Sequence, residues 1–270
     1  MHAVDGPQDA CLSATLAYDA IAAEYDAQVR GDDWMRCALH AHFASVYRPG
    51  QRLLDVGCGT GIDALALARI GLHVLGIDGS AAMIARLHVK VEDAHFADMV
   101  RARVFRIQDL ATLDEPAFDG LISAFASLNS LPDLRGFATD AARLVKPGGR
   151  VILHMLNRFS LWEWLGYVAR RDWTAARAVG KQRRRAFVIG GESVPHTLYF
   201  SDEAYRRFFA RDFVYRGAYG LGSLRPPHTV RRIPAPMVAV LERLDLRLGG
   251  LPLVRNAGRF FVLDLERRST

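Results

Sequence analysis

A glycine-rich turn between a short apolar strand and a helix constrains the fold of this chain more than any other feature. Residues 53–56 are typical of a buried strand, and Gly57, Gly59 and Gly61 follow at every second position. Without side chains there, a ligand can lie directly against the backbone. A second apolar segment ends in Asp78, about seventeen residues further on. A carboxylate at that point can accept hydrogen bonds from a ribose diol, so the pattern predicts a nucleoside site in an α/β protein.

Strands and helices alternate from residue 38 to about residue 157, which is typical of a parallel sheet covered by helices on both faces. The predicted strands of the sheet are 52–56, 74–77, 104–107, 121–124, 151–156, 213–219 and 260–265. The predicted helices include 18–29, 34–47, 62–70, one that Ser80 caps, 134–144, and one that Ser201 caps and that ends at 209. The pattern predicts a seven-stranded, mostly parallel sheet whose last strand is antiparallel.

Two insertions interrupt this pattern. The predicted divisions are N-terminal helices and core at 1–157, a first insertion at 158–200, core at 201–221, a second insertion at 222–258, and the last strand at 259–270. Within the first insertion, 186–189 and 196–200 are predicted β segments. Both insertions leave from carboxyl ends of strands, the edge where open α/β sheets bind ligands, so we expect them to cap the pocket. Their apolar helical runs fit simple packing on the core equally well.

Composition excludes several classes of protein. No run of eighteen apolar residues is present, so no membrane-spanning helix is predicted. The first ten residues lack the apolar segment of a secretory signal, which favours the cytoplasm. Cys11, Cys37 and Cys58 are too few and too scattered for a disulfide framework or a zinc site, and no metal is predicted.

Charge is distributed unevenly along the chain. Residues 1–157 contain 14 Lys and Arg against 19 Asp and Glu, a net of −5, whereas residues 158–270 contain 21 against 10, a net of +11. Nearly all of the basic residues are arginine. This pattern fits ordinary solvated arginines, but it also fits a basic substrate entrance suited to an acidic substrate, an anionic membrane surface or RNA.

Five motifs in one order resemble those of class I S-adenosylmethionine (SAM) methyltransferases that act on small molecules. They are 55–61, Asp78, 108–110, the segment 125–131 after the fourth predicted strand, and 144–149. The resemblance covers about residues 15–157 and resumes at 201–221 and 260–267. It implies a Rossmann-like α/β fold, SAM as cofactor and S-adenosylhomocysteine as product.

The resemblance also implies roles for individual residues. The glycines of 57–61 would approach the methionine part of SAM, Asp78 would hold the ribose, Asp109 would contact the adenine amino group, and 125–131 would pass beneath the sulfonium. The predicted cofactor-binding residues are Tyr18, Tyr25, Asp55, Gly57, Cys58, Gly59, Gly61, Asp78, Gly79, Met83, Gln108, Asp109, Leu110, Phe125 and Asn129.

Some of these assignments leave a structural alternative open. Tyr18 and Tyr25 are seven residues apart on one predicted helical face, where they would either cover SAM or pack on the sheet. Asn129 follows the fourth strand, where family members often place a polar group near the methyl.

Methyl transfer is an in-line displacement, and it needs a base only when the nucleophile must lose a proton. His154, on the fifth strand, and His196, in the first insertion, are the candidate catalytic bases. A buried core histidine is an equally good interpretation of His154. His196→Ala or His154→Ala with unchanged turnover would remove that residue as base.

The sequence therefore predicts a SAM-dependent methyltransferase that acts on a small apolar or aromatic metabolite, such as a natural-product intermediate, a quinone-like ring or a lipid-linked compound. Ser123–Ala126 stands where enzymes that methylate exocyclic amines have an Asn/Asp-Pro-Pro-Tyr/Phe motif, so that chemistry is not expected. A non-catalytic SAM-binding regulator or partner subunit is the alternative, and an RNA methyltransferase a more distant one. Contact with an anionic membrane and the choice between monomer and homodimer stay open, and no DNA partner is predicted.

Overall fold

The computed structural model describes residues 7–230 and 232–269, with side chains from residue 14 onward. One seven-stranded sheet forms the centre of the described chain. Its strands are β1 (Arg52–Val56), β2 (His73–Asp78), β3 (Val100–Val104), β4 (Phe118–Ser123), β5 (Val145–Leu156), β8 (Phe213–Leu221) and β9 (Phe260–Arg267). A separate hairpin consists of β6 (Arg184–Ile189) and β7 (Glu192–Thr197).

The spatial order of the sheet is β3-β2-β1-β4-β5-β9-β8. The first five strands in this order pair in parallel, and β9 runs antiparallel to both of its neighbours. This arrangement confirms the predicted seven-stranded, mostly parallel sheet with an antiparallel last strand. Because β8 is parallel to β5, both insertions leave from the same edge of the sheet, where the carboxyl ends of β1, β2 and β4 also lie.

Helices cover the sheet and form parts of both insertions. They are α1 (Pro7–Ile21), α2 (Tyr25–Gln28), α3 (Asp33–Val46), α4 (Ile62–Arg69), α5 (Ala81–Asp93), α6 (Arg135–Leu144), α7 (Leu161–Ala169), α8 (Trp173–Ala178), α9 (Ser201–Ala204), α10 (Ala235–Leu248) and α11 (Pro252–Arg255). Short 3-10 turns occur at Val29–Asp32, Ile107–Thr112 and Ser127–Ser130, and a π-helical turn at Tyr205–Phe209.

The apolar core lies on both faces of the sheet. On β1, Leu53 belongs to one buried cluster, while its neighbour Leu54 belongs to the cluster on the opposite face. This alternation follows from the two-residue period of a strand, and both faces are apolar because helices cover both. No helix of the described chain is long and apolar enough to cross a membrane.

The prediction of one helix over 18–29 was wrong. The chain leaves α1 after Ile21 and turns, with the Glu24 amide donating to the Ile21 carbonyl at 2.9 Å, before the short α2 begins. The Arg86 guanidinium donates to the Ala23 carbonyl at 2.7 Å, so a tertiary contact holds a carbonyl that a continuous helix would use internally.

The third predicted strand, 104–107, was also misplaced. Asp78, the last residue of β2, pairs with Val104, so the ladder that supports β3 ends there. Ile107 instead begins a 3-10 turn and packs against the core, which explains why this apolar segment resembled a strand.

Two local details of the insertions differ from prediction as well. Gly190 and Gly191 both have positive φ (57° and 84°) and form a tight two-residue turn, so β7 starts at Glu192 rather than at His196. Ser201 does not cap its helix: Phe200 occupies the cap position, and the Ser201 hydroxyl donates to Asn256 Oδ1 at 3.2 Å.

Candidate active site

The glycine turn after β1 has a left-handed backbone at each of its three glycines. The φ angles are 75° at Gly57, 53° at Gly59 and 80° at Gly61. A Cβ at Gly57 would lie 2.4 Å from Ser127, and one at Gly61 would lie 2.5 Å from Leu87. At Gly59 the nearest atom would be 3.9 Å away, on the Tyr25 ring. Two of the glycines are therefore needed for packing, and Gly59 is the one with open space before it.

The Asp78 carboxylate joins this turn to the next strand. Its Oδ2 accepts a hydrogen bond from the Gly59 amide and its Oδ1 accepts one from the Ser80 amide, both at 2.9 Å. Burial raises the pKa of Asp78, and the two amide donors oppose that rise. Ser80 caps α5, as predicted, by accepting from the Met83 amide at 3.1 Å.

A cavity that opens to solvent lies against the turn and Asp78. We call it the first cavity. The predicted residues that line it are Tyr18, Tyr25, Gly57, Gly59, Asp78, Gly79, Met83, Gln108, Phe125 and His196. Ala126, Ser127 and Ser130 also line it and belong to the predicted segment 125–131, whereas Ala14, Thr15, Arg106 and Ile107 lie outside every predicted motif. Arg106 and Ile107 directly precede the predicted 108–110, and Ala14 and Thr15 precede Tyr18 by one helical turn, so wider motif boundaries would have found them.

Several predicted residues lie behind the lining. Asp55 is buried on β1, its Oδ2 has no hydrogen-bond partner in the described chain, and burial raises its pKa well above the usual range. The side chain of Cys58 packs beside Gly76 of β2, where an added Cβ would meet the Cys58 sulfur at 2.9 Å. Gly61 contacts α5, as described above. These residues shape the turn from the sheet side.

The remaining predicted residues are held by other partners. Asp109 is exposed and accepts a hydrogen bond from Arg106 Nε at 2.7 Å, and Leu110 is fully buried in the core. Asn129 donates from Nδ2 to the Thr197 carbonyl at 2.6 Å and accepts at Oδ1 from the Leu156 amide at 2.9 Å. The Asn129 side chain thereby ties the end of β5 to the hairpin of the first insertion.

Tyr18 and Tyr25 meet at the first cavity although they are not on one helix. Their ring centroids are 6.3 Å apart in an edge-on arrangement, and both rings line the cavity. Burial raises the pKa of both phenols, that of Tyr25 to about 12, so both are neutral at pH 7. They form an apolar cover with hydroxyl groups at its edge.

The segment after β4 has a strained backbone. Phe125 and Ala126 have positive φ angles of 50° and 68°, which are uncommon for residues with a side chain. His154 of β5 holds both: its Nδ1 accepts from the Phe125 amide at 3.1 Å, and its carbonyl accepts from the Ala126 amide at 3.0 Å. On the other side, the Arg36 guanidinium lies 3.9 Å from the centre of the Phe125 ring. The Phe125 ring is thus fixed at the wall of the cavity.

The hydrogen bond to Phe125 defines the tautomer of His154. Because Nδ1 accepts, the proton lies on Nε2, which is buried without a partner in the described chain. Burial and the nearby Arg36 charge lower the pKa of His154 to about 3. The free ring lone pair of His154 already accepts the Phe125 amide, and the ring does not line the first cavity. The geometry therefore suits a positioning residue better than a base.

His196 has the opposite arrangement. The Val194 carbonyl, which can only accept, lies 3.0 Å from Nδ1, so Nδ1 carries the proton and Nε2 keeps its lone pair. Burial lowers the pKa of His196. The ring lines the first cavity and meets the Phe187 ring edge-on at 5.1 Å. Of the two predicted bases, His196 is the one whose geometry fits proton transfer.

A buried ion pair beneath this site was not predicted. Arg36 bonds to Asp63 at the start of α4, and His40 Nε2 lies 2.7 Å from the other Asp63 oxygen. Although burial raises it, the pKa of Asp63 is lowered to about 2 by Arg36 and His40. The pair anchors the guanidinium that faces Phe125. An arginine in a helix gives no local signal of such a partner, which is why the sequence did not reveal it.

A second cavity, of about 450 Å³, lies between the two insertions at the ends of β5 and β8. Its lining includes five arginines and three large aromatic residues: Arg158, Arg170, Arg185, Arg225, Arg259, Trp162, Tyr167 and Phe187. Met35, Leu156 and Leu198 add aliphatic surface. Phe187, whose ring contacts His196, connects this lining to that of the first cavity. The described residues contain no cluster of three or more His, Cys, Asp or Glu side chains that could hold a metal.

The fold, the glycine turn and the acid at the end of β2 are together those of class I SAM-dependent methyltransferases. The chain belongs to the family described as a methyltransferase domain, whose sequence model matches residues 30–211. This family membership confirms the predicted class of protein and the predicted cofactor.

Relatives of known name match smaller parts of the chain. A ubiquinone biosynthesis O-methyltransferase of Alkalilimnicola ehrlichii is 44% identical over 114 residues, which cover 40% of this chain and 43% of the relative. The chain thus spans under half the length of this relative.

Solved structures share the fold at low identity. Geranyl diphosphate C-methyltransferase from Streptomyces coelicolor A3(2), in complex with Mg²⁺, geranyl diphosphate and S-adenosyl-L-homocysteine, has a TM-score of 0.55 and 16% identity, covering 86% of this chain and 78% of that chain. The (4+2)-cyclase SpnF has a TM-score of 0.56 and 18% identity, covering 86% and 80%. At this identity the likeness concerns the fold alone.

The neutral, buried state of His154 makes stability depend on pH. The folded-state pKa of about 3 lies below the ordinary value of 6.5, so below pH 6.5 the unfolded chain binds a proton that the folded chain does not. The contribution of this histidine is fully present above pH 6.5 and is lost as the pH falls toward 3, with a slope of up to about 1.4 kcal/mol per pH unit. His154→Asn keeps an acceptor for the Phe125 amide without titrating. Urea unfolding at several pH values should therefore show a shallower loss of stability between pH 6.5 and 4 in this variant.

The control is His88→Asn, which changes an exposed histidine of α5 and should leave the pH dependence unchanged. Equal slopes for His154→Asn and the unmodified protein would show that His154 is not held neutral in the fold.

Proposed function

We propose that the protein transfers the methyl group of SAM, bound in the first cavity, to a small molecule with an apolar or aromatic body, bound in the second. The observation that carries this proposal is the shared wall between the two cavities. Phe187 lines the second cavity, and its ring lies 5.1 Å from that of His196, which lines the first. An acceptor between the insertions would then reach the cofactor where the two cavities adjoin, at the carboxyl edge of the sheet.

The residues of the first cavity fit the parts of SAM. Gly59 leaves space for the methionine part against the backbone, and the Asp78 oxygens each have a lone pair free for a ribose hydroxyl beyond the one given to an amide. Gln108 supplies an amide for the adenine edge, and Met83 an apolar surface. When bound, SAM supplies an electrophilic methyl on a cationic sulfur. Aromatic rings such as Phe125 attract such a cation.

The protein itself contributes position, exclusion of water and, for a hydroxyl acceptor, a base. Holding the acceptor atom in line with the methyl group supplies most of the rate in such a displacement. His196 Nε2 would take the proton of an acceptor hydroxyl. The O-methyltransferase relative supports oxygen as the methylated atom, on a catechol or quinone-like ring.

The function is tested by cofactor binding and methyl transfer in a matched pair of variants. Gly59→Leu would place a side chain in the space where SAM lies, and we expect calorimetry to show at least about a tenfold loss of SAM affinity, or 1.4 kcal/mol. Gly50→Leu is the control, because Gly50 is also left-handed (φ 83°) with nothing within 4 Å of an added Cβ, but lies outside the first cavity. The control should lose stability and keep its affinity for SAM.

Transfer is measured with radiolabelled SAM and two sets of acceptors, catechols or hydroquinones without a further charge and catechols or hydroquinones that carry a carboxylate. With SAM below its Kd for the unmodified protein, we expect labelled product from that protein and at least about tenfold less product from Gly59→Leu. SAM binding with no transfer to any acceptor would favour the alternative of a non-catalytic SAM-binding regulator or partner subunit. Absence of SAM binding would contradict both.

We further propose that the second insertion contacts an anionic membrane. On α10, Met237, Val240 and Leu244 are exposed, and Leu253 of α11 is 89% exposed. Arg232, Arg243 and Arg247 are exposed in the same insertion, so basic charge accompanies this apolar surface. A cytoplasmic location, which the few scattered cysteines favour, would put this surface within reach of the anionic inner leaflet.

Liposome flotation tests this contact. The protein should float with vesicles that contain anionic phosphatidylglycerol, and Leu253→Glu should reduce the bound fraction because it puts a charge on the apolar surface. Val188→Glu, at an exposed apolar position of β6 in the first insertion, is the control and should float as before. A protein that stays with the soluble fraction at all vesicle concentrations would overturn the membrane proposal and leave the methyltransferase proposal intact.

A further inference from the structure

We infer that the second cavity binds an anionic group of the methyl acceptor, a carboxylate or a phosphate, so that the acceptor is an amphipathic acid rather than a neutral molecule. The inference rests on the proposed function, because it concerns the acceptor in that reaction. Its starting point is the charge of the lining, which contains five arginines and one acid, Glu163. Arginine is the side chain best suited to carboxylate and phosphate, since its planar fork of N–H groups matches two oxygens at once.

Acidic side chains hold these arginines in place, and each acid occupies only some of the N–H groups of its arginine. Arg185 Nη1 bonds to Glu163 at 2.5 Å, and Arg225 Nε bonds to Glu242 at 2.8 Å. A guanidinium has five N–H groups, so one such contact leaves most of them free to bind a ligand. Arg225 also lies over the Trp34 ring, at 4.5 Å. Packing of this kind lowers the entropy lost when the guanidinium binds an anion.

Arg170 differs from the other four. Among the described residues no acid lies within ion-pair distance of Arg170, and its guanidinium rests over the Tyr167 ring at 5.1 Å. A cation at a cavity wall without an acid is a direct site for an anionic ligand. It also makes Arg170 a residue that can be changed without breaking an ion pair.

Unsatisfied buried donors at the same wall point to a ligand oxygen independently of charge. Arg158 is nearly buried and bonds to Glu203, yet its Nε has no hydrogen-bond partner in the described chain. The indole Nε1 of Trp162 is likewise buried without a partner there. Both residues line the second cavity, and both atoms can only donate. Buried donors without partners are rare in folded proteins. Both atoms are covered by neighbouring groups, so a carboxylate or phosphate would satisfy them only once those groups shift.

The same cavity also has surface for the rest of such a molecule. Trp162, Tyr167 and Phe187 provide aromatic faces, and Leu156 and Leu198 provide aliphatic contacts. Asn157 lines the cavity as well, and its Oδ1 is a buried acceptor without a partner in the described chain, which suits a hydroxyl. A volume of about 450 Å³ lies within the usual range of small-molecule pockets, so an aromatic ring with an alkyl chain would fit.

The five arginines differ in their exposure to solvent. The Arg158 side chain is 10% exposed and that of Arg225 is 16% exposed, so an RNA backbone on the outside of the protein would not reach these two. Arg170, Arg185 and Arg259 are more open to solvent. An anion that meets all five must enter between the insertions, which favours the acid of a small molecule over a nucleic acid phosphate.

The inference is tested by calorimetry on the full chain loaded with S-adenosylhomocysteine. All three probes carry an eight-carbon alkyl chain on a benzene ring. They are 4-octylbenzoate, its neutral primary amide, and 4-octylphenyl phosphate. The unmodified protein should bind at least one of the acids about tenfold or more tightly than the amide, and the preferred acid identifies the group as carboxylate or phosphate. Arg170→Gln should weaken binding of that acid about tenfold and leave binding of the amide unchanged.

Arg158→Gln should weaken binding of the preferred acid more than Arg170→Gln does. Should the Arg158 variant fail to fold, Arg170→Gln still tests the inference. The control is Arg216→Gln, at an exposed ion pair with Glu266 outside the lining of the second cavity, which should bind all three probes as the unmodified protein does. Equal affinity for acids and amide, with no effect of Arg170→Gln, would overturn the inference. In that case intact binding of S-adenosylhomocysteine and methyl transfer to a neutral acceptor would still support the proposed function.

Discussion

The carboxylate of Asp78 is the interaction on which the arrangement of this site depends. By accepting from the amides of Gly59 and Ser80, it fixes the end of β2 against the turn after β1 and the start of α5. A buried carboxylate is costly unless it is hydrogen-bonded, so these two amides make its position stable. The bond from the Gly59 amide holds the glycine turn against β2, with Gly59 at the wall of the first cavity. The candidate cofactor site is thus a consequence of how two parallel strands end.

A comparable constraint operates on the other side of the cavity. Phe125 and Ala126 keep their left-handed backbone because both of their amides donate hydrogen bonds to His154. The Phe125 amide donates to the His154 ring and the Ala126 amide to the His154 carbonyl, while Arg36 packs on the Phe125 ring. Arg36 is in turn fixed by Asp63. Strain of this kind is typical of functional sites, where the surrounding structure determines a conformation that the segment would not adopt alone.

The parts of the site that local sequence determines were predictable. The turn, Asp78 and the Ser80 cap depend on spacing within a few residues, and the structure shows each of them in its predicted place. The sheet class followed from the alternation of elements, although the end of β3 at Val104 depended on where its partner β2 ends. The second cavity was not predictable in detail, since its arginines lie on both insertions and only the folded chain brings Arg158 and Arg225 together. The basic charge of residues 158–270 indicated such a site without showing which arginines form it.

The central claim is that the first cavity binds the cofactor with its ribose on Asp78 and its sulfur toward Phe125. A crystal structure of the protein with S-adenosylhomocysteine tests it most directly. The account predicts both ribose hydroxyls within hydrogen-bond distance of the Asp78 carboxylate, the methionine part against Gly59, and the sulfur beside the Phe125 ring. S-adenosylhomocysteine bound outside the first cavity, or bound there without contact to Asp78, would contradict it.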